Sequence, residues 1–129
     1  MEINEITKLI INCAIEIHTE LGPGLLESVY ETILHKMLIE RGLNVERQKS
    51  VSFAFKGFRF DDGFRIDLLV NDIIIIELKS VEKLLPYHHK QLLTYLRLMN
   101  RPVGLLINFG APTLKEGLKR IVNKYEDNG

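Results

Sequence analysis

Three charged side chains whose types could do chemistry lie within two largely apolar segments in the middle of the chain. Asp67 lies in Phe64–Val70, and Glu77 and Lys79 lie in Ile73–Ser80. A charge buried without a partner destabilises a fold strongly, so each of these residues needs a partner or a chemical role. Two carboxylates beside an ammonium group are suited to hold Mg²⁺ and to supply a general base or a charge-stabilising group. An ordinary cross-strand ion pair between Asp67 and Lys79 is the alternative interpretation.

The spacing of these residues constrains the turn between the two strands. Side chains alternate across a strand, so Glu77 and Lys79 share one face. A strict two-residue hairpin loop at Asn71-Asp72 would pair Asp67 with Ile76 and would put the two carboxylates on opposite faces. For both acids to bind one ion, the connection must be odd in length or a bulge must intervene.

Composition places few limits on function. The 129 residues suffice for one domain, which we take to span 1–129. Lysine plus arginine and aspartate plus glutamate number 17 each, so a site for a polyanion must be a local patch. The single cysteine, Cys13, excludes an internal disulfide and fits a reducing cytoplasm. We expect no membrane span, because no apolar stretch is long enough.

The periodicity predicts an α/β (α+β) fold with the order ααββββαβα, a central mixed sheet flanked by helices. The predicted helices are Asn4–Glu20, Leu25–Arg41, Pro86–Met99 and a last one from Gly110-Ala111-Pro112-Thr113 to about Tyr125. The predicted strands are Val45–Phe55, a short Phe58–Phe60, Phe64–Val70, Ile73–Ser80 and Val103–Asn108, with a turn at Asp61-Asp62-Gly63.

Several polar residues outside the strands are weaker candidates when taken alone. Glu27 begins the second helix, where the helix dipole favours a carboxylate, and Tyr30 follows one turn later. His18 near the end of the first helix suits the dipole in the same way. Gln91 and Tyr95 are four residues apart and share one helix face.

The segment Gly22–Tyr30 (GPGLLESVY) resembles the signature of the GxxExxY proteins, named for Gly24, Glu27 and Tyr30. That family is grouped with the PD-(D/E)XK nuclease superfamily. The resemblance extends from His18 to the Lys119-Arg120-Ile121 segment. It implies a restriction-endonuclease-like core with a metal site at a forked pair of strands.

The resemblance also implies roles for individual residues. Asp67 and Glu77 match the two metal-binding acids, and Lys79 matches the lysine of the E-x-K element. Glu27 matches an additional helical acid that assists the metal, together with the carbonyl of Leu78. In place of the proline that often precedes the first acid, this chain has Ile66.

Further positions match elements that contact substrate. Gln91 and Tyr95 resemble the Q-x-x-x-Y element of the RecB-like branch. Basic residues nearby, which we expect to contact phosphates, are Lys83, His88, Lys90 and Arg97.

These features together predict a Mg²⁺- or Mn²⁺-dependent nuclease, with DNA favoured over RNA as substrate. The alternative is a catalytically silent nuclease-fold module that binds nucleic acid or another protein. A homodimer is compatible with the small size of the domain, although no residue pattern identifies an interface.

Overall fold

Two helices begin the chain in this computed structural model, which describes residues 1–124. They are α1 (Ile3–Leu21) and α2 (Glu27–Glu40). The apolar residues of α1 recur at helical spacing and are buried, as Ile6, Ile10 and Ile17 illustrate. Gly22, with φ of 72°, follows α1 in a conformation that other residues seldom adopt, and it ends the helix.

The remaining elements form a five-stranded mixed sheet with a third long helix. They are β1 (Val45–Phe55), β2 (Phe58–Val70), β3 (Ile74–Lys79), α3 (Pro86–Met99), β4 (Val103–Asn108), α4 (Leu114–Gly117) and β5 (Leu118–Val122). The strands lie in chain order across the sheet. Among the strands of residues 1–124, β3 and β4 form the one parallel pair, and α3 makes the crossover between them. The predicted fold class, a mixed sheet flanked by helices, is confirmed.

Apolar clusters cover both faces of the sheet. The larger cluster joins one face to α1 and α2, and the smaller one joins the other face to α3. Along β3, Ile74, Ile76 and Leu78 belong to the first cluster and Ile75 belongs to the second. Side chains alternate along a strand, so Glu77 lies on the same face as Ile75, which is the face that α3 covers.

The prediction of a short strand and a turn between residues 58 and 63 was wrong, because β2 is one strand of 13 residues. The register changes between Val51 and Phe53, so residues 61–63 of β2 oppose a single residue of β1. A β-bulge therefore absorbs the turn-forming residues without ending the strand. Gly63 permits this packing, because a Cβ there would lie 2.3 Å from the Phe53 ring.

The prediction of a long last helix was also wrong. The α4 helix is a single turn, and the chain then forms β5, antiparallel to β4. Leu114, Leu118 and Ile121 have helical spacing, but β4 is buried throughout and needs a second hydrogen-bonded neighbour. The predicted end at Tyr125 lies outside the described residues.

Candidate active site

The loop between β2 and β3 determines that the two acids meet. Val70 pairs with Ile74, so three residues form the connection and the register is odd. Asn71 and Asp72 both have positive φ, 50° and 56°, which the short polar side chains tolerate. The odd-length connection expected from the sequence is therefore present.

Asp67 and Glu77 contact each other across the two strands. The backbone N–H of Asp67 donates to Glu77 Oε1 at 3.3 Å. Asp67 Oδ2 accepts from the backbone N–H of Leu78 at 2.8 Å. Glu77 is 6% exposed, so this pair of carboxyl groups lies at the boundary between the core and solvent.

The sheet opens at the level of Asp67. Regular pairing of β2 with β3 ends at Leu68 and Ile76. Beyond this pair, the Leu78 N–H donates to the Asp67 carboxylate and not to a backbone carbonyl of β2. On the β1 side, Gln48 opposite Asp67 has φ of 47°. The strands therefore fork here. The N–H and C=O of one strand residue point the same way, so the Leu78 carbonyl is directed to the side of Asp67.

Burial and a neighbouring carboxylate disfavour ionisation of Glu77. Desolvation is the larger cause, and the charge of Asp67 and a hydrogen bond between the two carboxyl groups add to it. Together they raise the pKa of Glu77 from 4.5 to about 9, although the Lys79 ammonium opposes the change. The Glu77 carboxyl group in this arrangement keeps its proton, or it needs a cation beside it.

The backbone of Lys79 is held by the end of β4. The N–H of Phe109 donates to the Lys79 carbonyl at 2.8 Å. The buried amide of Asn108 exchanges two hydrogen bonds with the backbone of Val81, at 3.0 and 2.9 Å. A Cβ on Gly110 would lie 2.2 Å from the Val81 carbonyl oxygen, so the close approach requires glycine. No sequence pattern had identified Asn108 or Gly110 as supports of the site.

Glu27 begins α2 close to the end of β3. The Ser80 hydroxyl donates to the Leu25 carbonyl at 2.6 Å and ties the loop before α2 to that strand. Tyr30 does not share the exposure of Glu27: its buried hydroxyl donates to the Gly22 carbonyl at 2.6 Å and accepts from the Leu25 N–H. Within residues 1–124 no three acidic, histidine or cysteine side chains are arranged to hold one metal ion. In this conformation the exposed Glu27 therefore does not complete a three-acid cluster.

A second buried acid, Glu31, was missed by the sequence reasoning. Gln48 Nε2 donates to Glu31 Oε1 at 2.6 Å and to Asp67 Oδ1 at 3.2 Å, so one amide bridges the two carboxylates. Arg47 pairs with Glu31 at 3.0 Å and partly neutralises it. Glu31 follows Glu27 by four residues, and this i, i+4 spacing of acids was the available signal.

Tyr95 of the predicted substrate-binding pair lies near the acids. Burial, followed by the charge of Glu77, raises the pKa of the Tyr95 phenol, and Tyr87 and Asp67 contribute further. The Tyr95 ring stacks on Phe64 with centroids 4.3 Å apart. Gln91 donates to the hydroxyl of Tyr87, one turn earlier on α3, at 3.0 Å.

The residues predicted to contact phosphates differ in their exposure and in their hydrogen-bond partners. Lys83, Lys90 and Arg97 are exposed. Lys83 lines a groove that includes Asn108 and Lys119. His88 Nδ1 accepts from the Leu85 N–H at 3.0 Å, so it caps α3 in addition to any contact with a substrate.

A family model of the PD-(D/E)XK nuclease superfamily matches residues 4–121. The chain therefore belongs to that superfamily, whose members are nucleases that generally use divalent metals. No curated protein matches the chain. Among solved structures, a crystal structure of a protein named SSO0001 is similar, with 19% identity and a TM-score of 0.46 over 94% of this chain and 67% of that chain.

The narrower resemblance to the GxxExxY proteins stays a prediction. None of the helices within residues 1–124 has the length and apolar character that crossing a bilayer requires.

Proposed function

We propose that this protein is a Mg²⁺- or Mn²⁺-dependent phosphodiesterase that hydrolyses nucleic acid, with DNA favoured over RNA. The observation that carries the proposal is that Asp67 and Glu77 are hydrogen-bonded to each other's strands at the fork of β2 and β3, so that two carboxyl groups lie side by side. Superfamily membership makes nucleic acid the expected substrate class.

The donor set fits a hard divalent cation. Mg²⁺ prefers oxygen ligands and is usually bound by one or two carboxylates, with water completing its coordination. Asp67, Glu77 and the Leu78 carbonyl would supply the oxygen ligands at the fork, and Glu27 is the proposed additional acid. When bound, such an ion polarises the scissile phosphate and lowers the pKa of the attacking water.

The chain's own residues would orient the substrate and stabilise charge. Lys79 follows Glu77 by two residues on the same strand face, and its charge acts on Glu77. An ammonium group there stabilises negative charge on the phosphate or holds the attacking water. Gln91 and Tyr95 would contact substrate from α3, and Lys83 and Lys90 would contact phosphates farther along.

The other parts of the proposal concern the context of the reaction. The described residues form one sheet with its helices, and we propose a single domain over 1–129. The lone cysteine fits a reducing compartment, so the cytoplasm is the proposed location.

The test is incubation of purified protein with single-stranded, duplex, flapped and four-way DNA and with RNA, in Mg²⁺, Mn²⁺ or EDTA. We expect cleavage only with a divalent ion, and Asp67→Asn should abolish it. Asp72→Asn is the matched control, because Asp72 lies exposed in the loop at the other end of the same strands. Equal cleavage by parent and Asp67→Asn would reject the proposed site. Metal-independent binding without any cleavage would favour the silent binding module.

A further inference from the structure

The strands β1 and β2 extend beyond the rest of the sheet as a two-stranded ribbon. β3 pairs only with Leu68–Val70 of β2, so in the described part of the chain residues 58–66 pair with β1 alone. Lys56 and Gly57 close the ribbon as a two-residue turn with φ of 49° and 83°. A two-stranded ribbon has little stability by itself in water. We call residues 51–64 the aromatic ribbon.

Four phenylalanines lie on one face of the aromatic ribbon. Phe53 pairs with Phe60, and Phe55 pairs with Phe58. Residues two apart on a strand share a face, so the two pairs are adjacent on the same side. The Phe53 and Phe60 rings stack with centroids 5.1 Å apart.

This aromatic face is exposed at its tip and continues toward the acidic pair. Phe55, Phe58 and Phe60 are 62%, 69% and 47% exposed. Phe53 also contacts Phe64 with centroids 6.2 Å apart. Phe64 in turn stacks on Tyr95, whose phenol is influenced by Glu77 and Asp67. The contacting rings of Phe60, Phe53, Phe64 and Tyr95 therefore extend from the exposed Phe60 toward the candidate active site.

The cations at the tip and at the base of the ribbon favour an anionic partner. Within residues 51–64, Lys56 and Arg59 are balanced by Asp61 and Asp62, and the flanking Lys49 and Arg65 bring residues 49–65 to four cations against two aspartates. The cations nearest the tip are Lys56, whose ammonium lies 5.5 Å from the Phe55 ring centroid, and Arg59, which pairs with the exposed Asp61 at 2.9 Å. Packing of two tips against each other would bring two Lys56 ammonium groups together, and like charges disfavour a second copy as the occupant.

We propose that the aromatic ribbon binds unpaired bases of a nucleic acid whose phosphates contact Lys56 and compete with Asp61 for Arg59. Exposed aromatic rings next to cations bind single strands, because every base offers a face for stacking. The bases of an intact duplex are already stacked and are hidden from such a surface. The inference rests on the proposed function, and it names the substrate class as nucleic acid with a single-stranded segment, such as a flap or a branch.

Binding is measured in EDTA, so that cleavage does not interfere, by fluorescence anisotropy of a labelled oligothymidine and of a blunt duplex. The double variant Phe55→Ala, Phe58→Ala should bind the oligothymidine about 10-fold more weakly or worse, as expected for loss of base stacking. Its affinity for the duplex should change little. Phe58→Trp should retain binding, because it keeps a ring for stacking.

Two controls separate stacking from general effects. Ile39→Ala removes a similarly exposed apolar side chain from the end of α2 and should leave oligothymidine binding unchanged. Lys56→Gln should reduce the slope of log affinity against log salt by about 0.7 if it removes one phosphate contact. Far-ultraviolet circular dichroism would verify that each variant is folded.

Unchanged oligothymidine binding by the double phenylalanine variant would overturn the inference. So would a dimer in sedimentation that dissociates in the double variant, because the face would then hold a second copy. Failure of the proposed nuclease activity would show in the cleavage assay and is separate from both of these binding results. A protein that cleaves no nucleic acid but binds oligothymidine through its ribbon would refute the nuclease activity alone.

Discussion

Replacement of Glu77 by glutamine should make the metal-free protein more stable at alkaline pH while removing its metal binding. Glutamine has the shape of a protonated glutamate, and its amide can still donate to Asp67. The substitution removes only the ability to ionise. It therefore isolates the free energy cost of a buried charge next to a second carboxylate.

The direction and the size of this change in folding stability follow from the raised pKa of Glu77. The folded protein retains the Glu77 proton up to a pH of about 9, whereas the unfolded chain loses it near 4.5. Between these values the folded state binds more protons, so its stability falls as the pH rises. The upper limit is about 1.4 kcal/mol per pH unit. Between pH 5 and pH 8 we expect a loss of about 2–4 kcal/mol, because local rearrangement and water reduce the limiting value.

The assay is urea unfolding of both proteins at pH 5 and pH 8, with EDTA or with Mg²⁺. The variant and the parent should have similar stability at pH 5, and the variant should be the more stable at pH 8 in EDTA. Mg²⁺ should stabilise the parent at pH 8, because it binds the folded state, and should have little effect on the variant. If both proteins show the same pH dependence in EDTA, the two carboxyl groups are not coupled and the reasoning is wrong.

Three other predictions concern the residues around the acids. Lys79→Ala should leave metal binding intact, measured by calorimetry, and should lower the cleavage rate about 10²–10⁴-fold, as expected for loss of an acid–base or charge-stabilising group; an unchanged rate would make Lys79 a structural residue. Gln48→Ala leaves Glu31 and Asp67 without their bridging donor, so cleavage and the free energy of unfolding should both decrease, the latter by about 1–3 kcal/mol in urea melts. Gly110→Ala should destabilise the fold by about 1–3 kcal/mol or more, because its Cβ meets backbone atoms of Val81 that cannot move aside. Gly63→Ala is the control for Gly110→Ala and should cost less, since its Cβ meets chiefly the Phe53 side chain and approaches backbone, the Val51 carbonyl oxygen, only to 3.3 Å. Equal melting temperatures for Gly110→Ala and the parent would contradict the packing argument.

The sequence determined the elements whose periodicity is strong. Helix α3 and strand β4 have the predicted bounds. Pro86 marks the start of α3, and β4 is a short apolar run that follows Arg101-Pro102. The meeting of Asp67 with Glu77 was also predictable, because a shared site demanded an odd connection. Local residue types and the alternation of side chains are properties of the chain alone.

Only the tertiary structure decided the parts that depend on partners distant in the chain. The bulge at residues 61–63 replaces a turn because β1 is long enough to pair on both sides of it. β5 replaces a helix because the buried edge of β4 requires hydrogen bonds, which local periodicity does not report. The bridge from Glu31 through Gln48 to Asp67 joins three elements, and no spacing in the sequence specifies it. The chain thus carries the charged residues in a readable pattern, whereas packing between remote segments decides which of them share one environment.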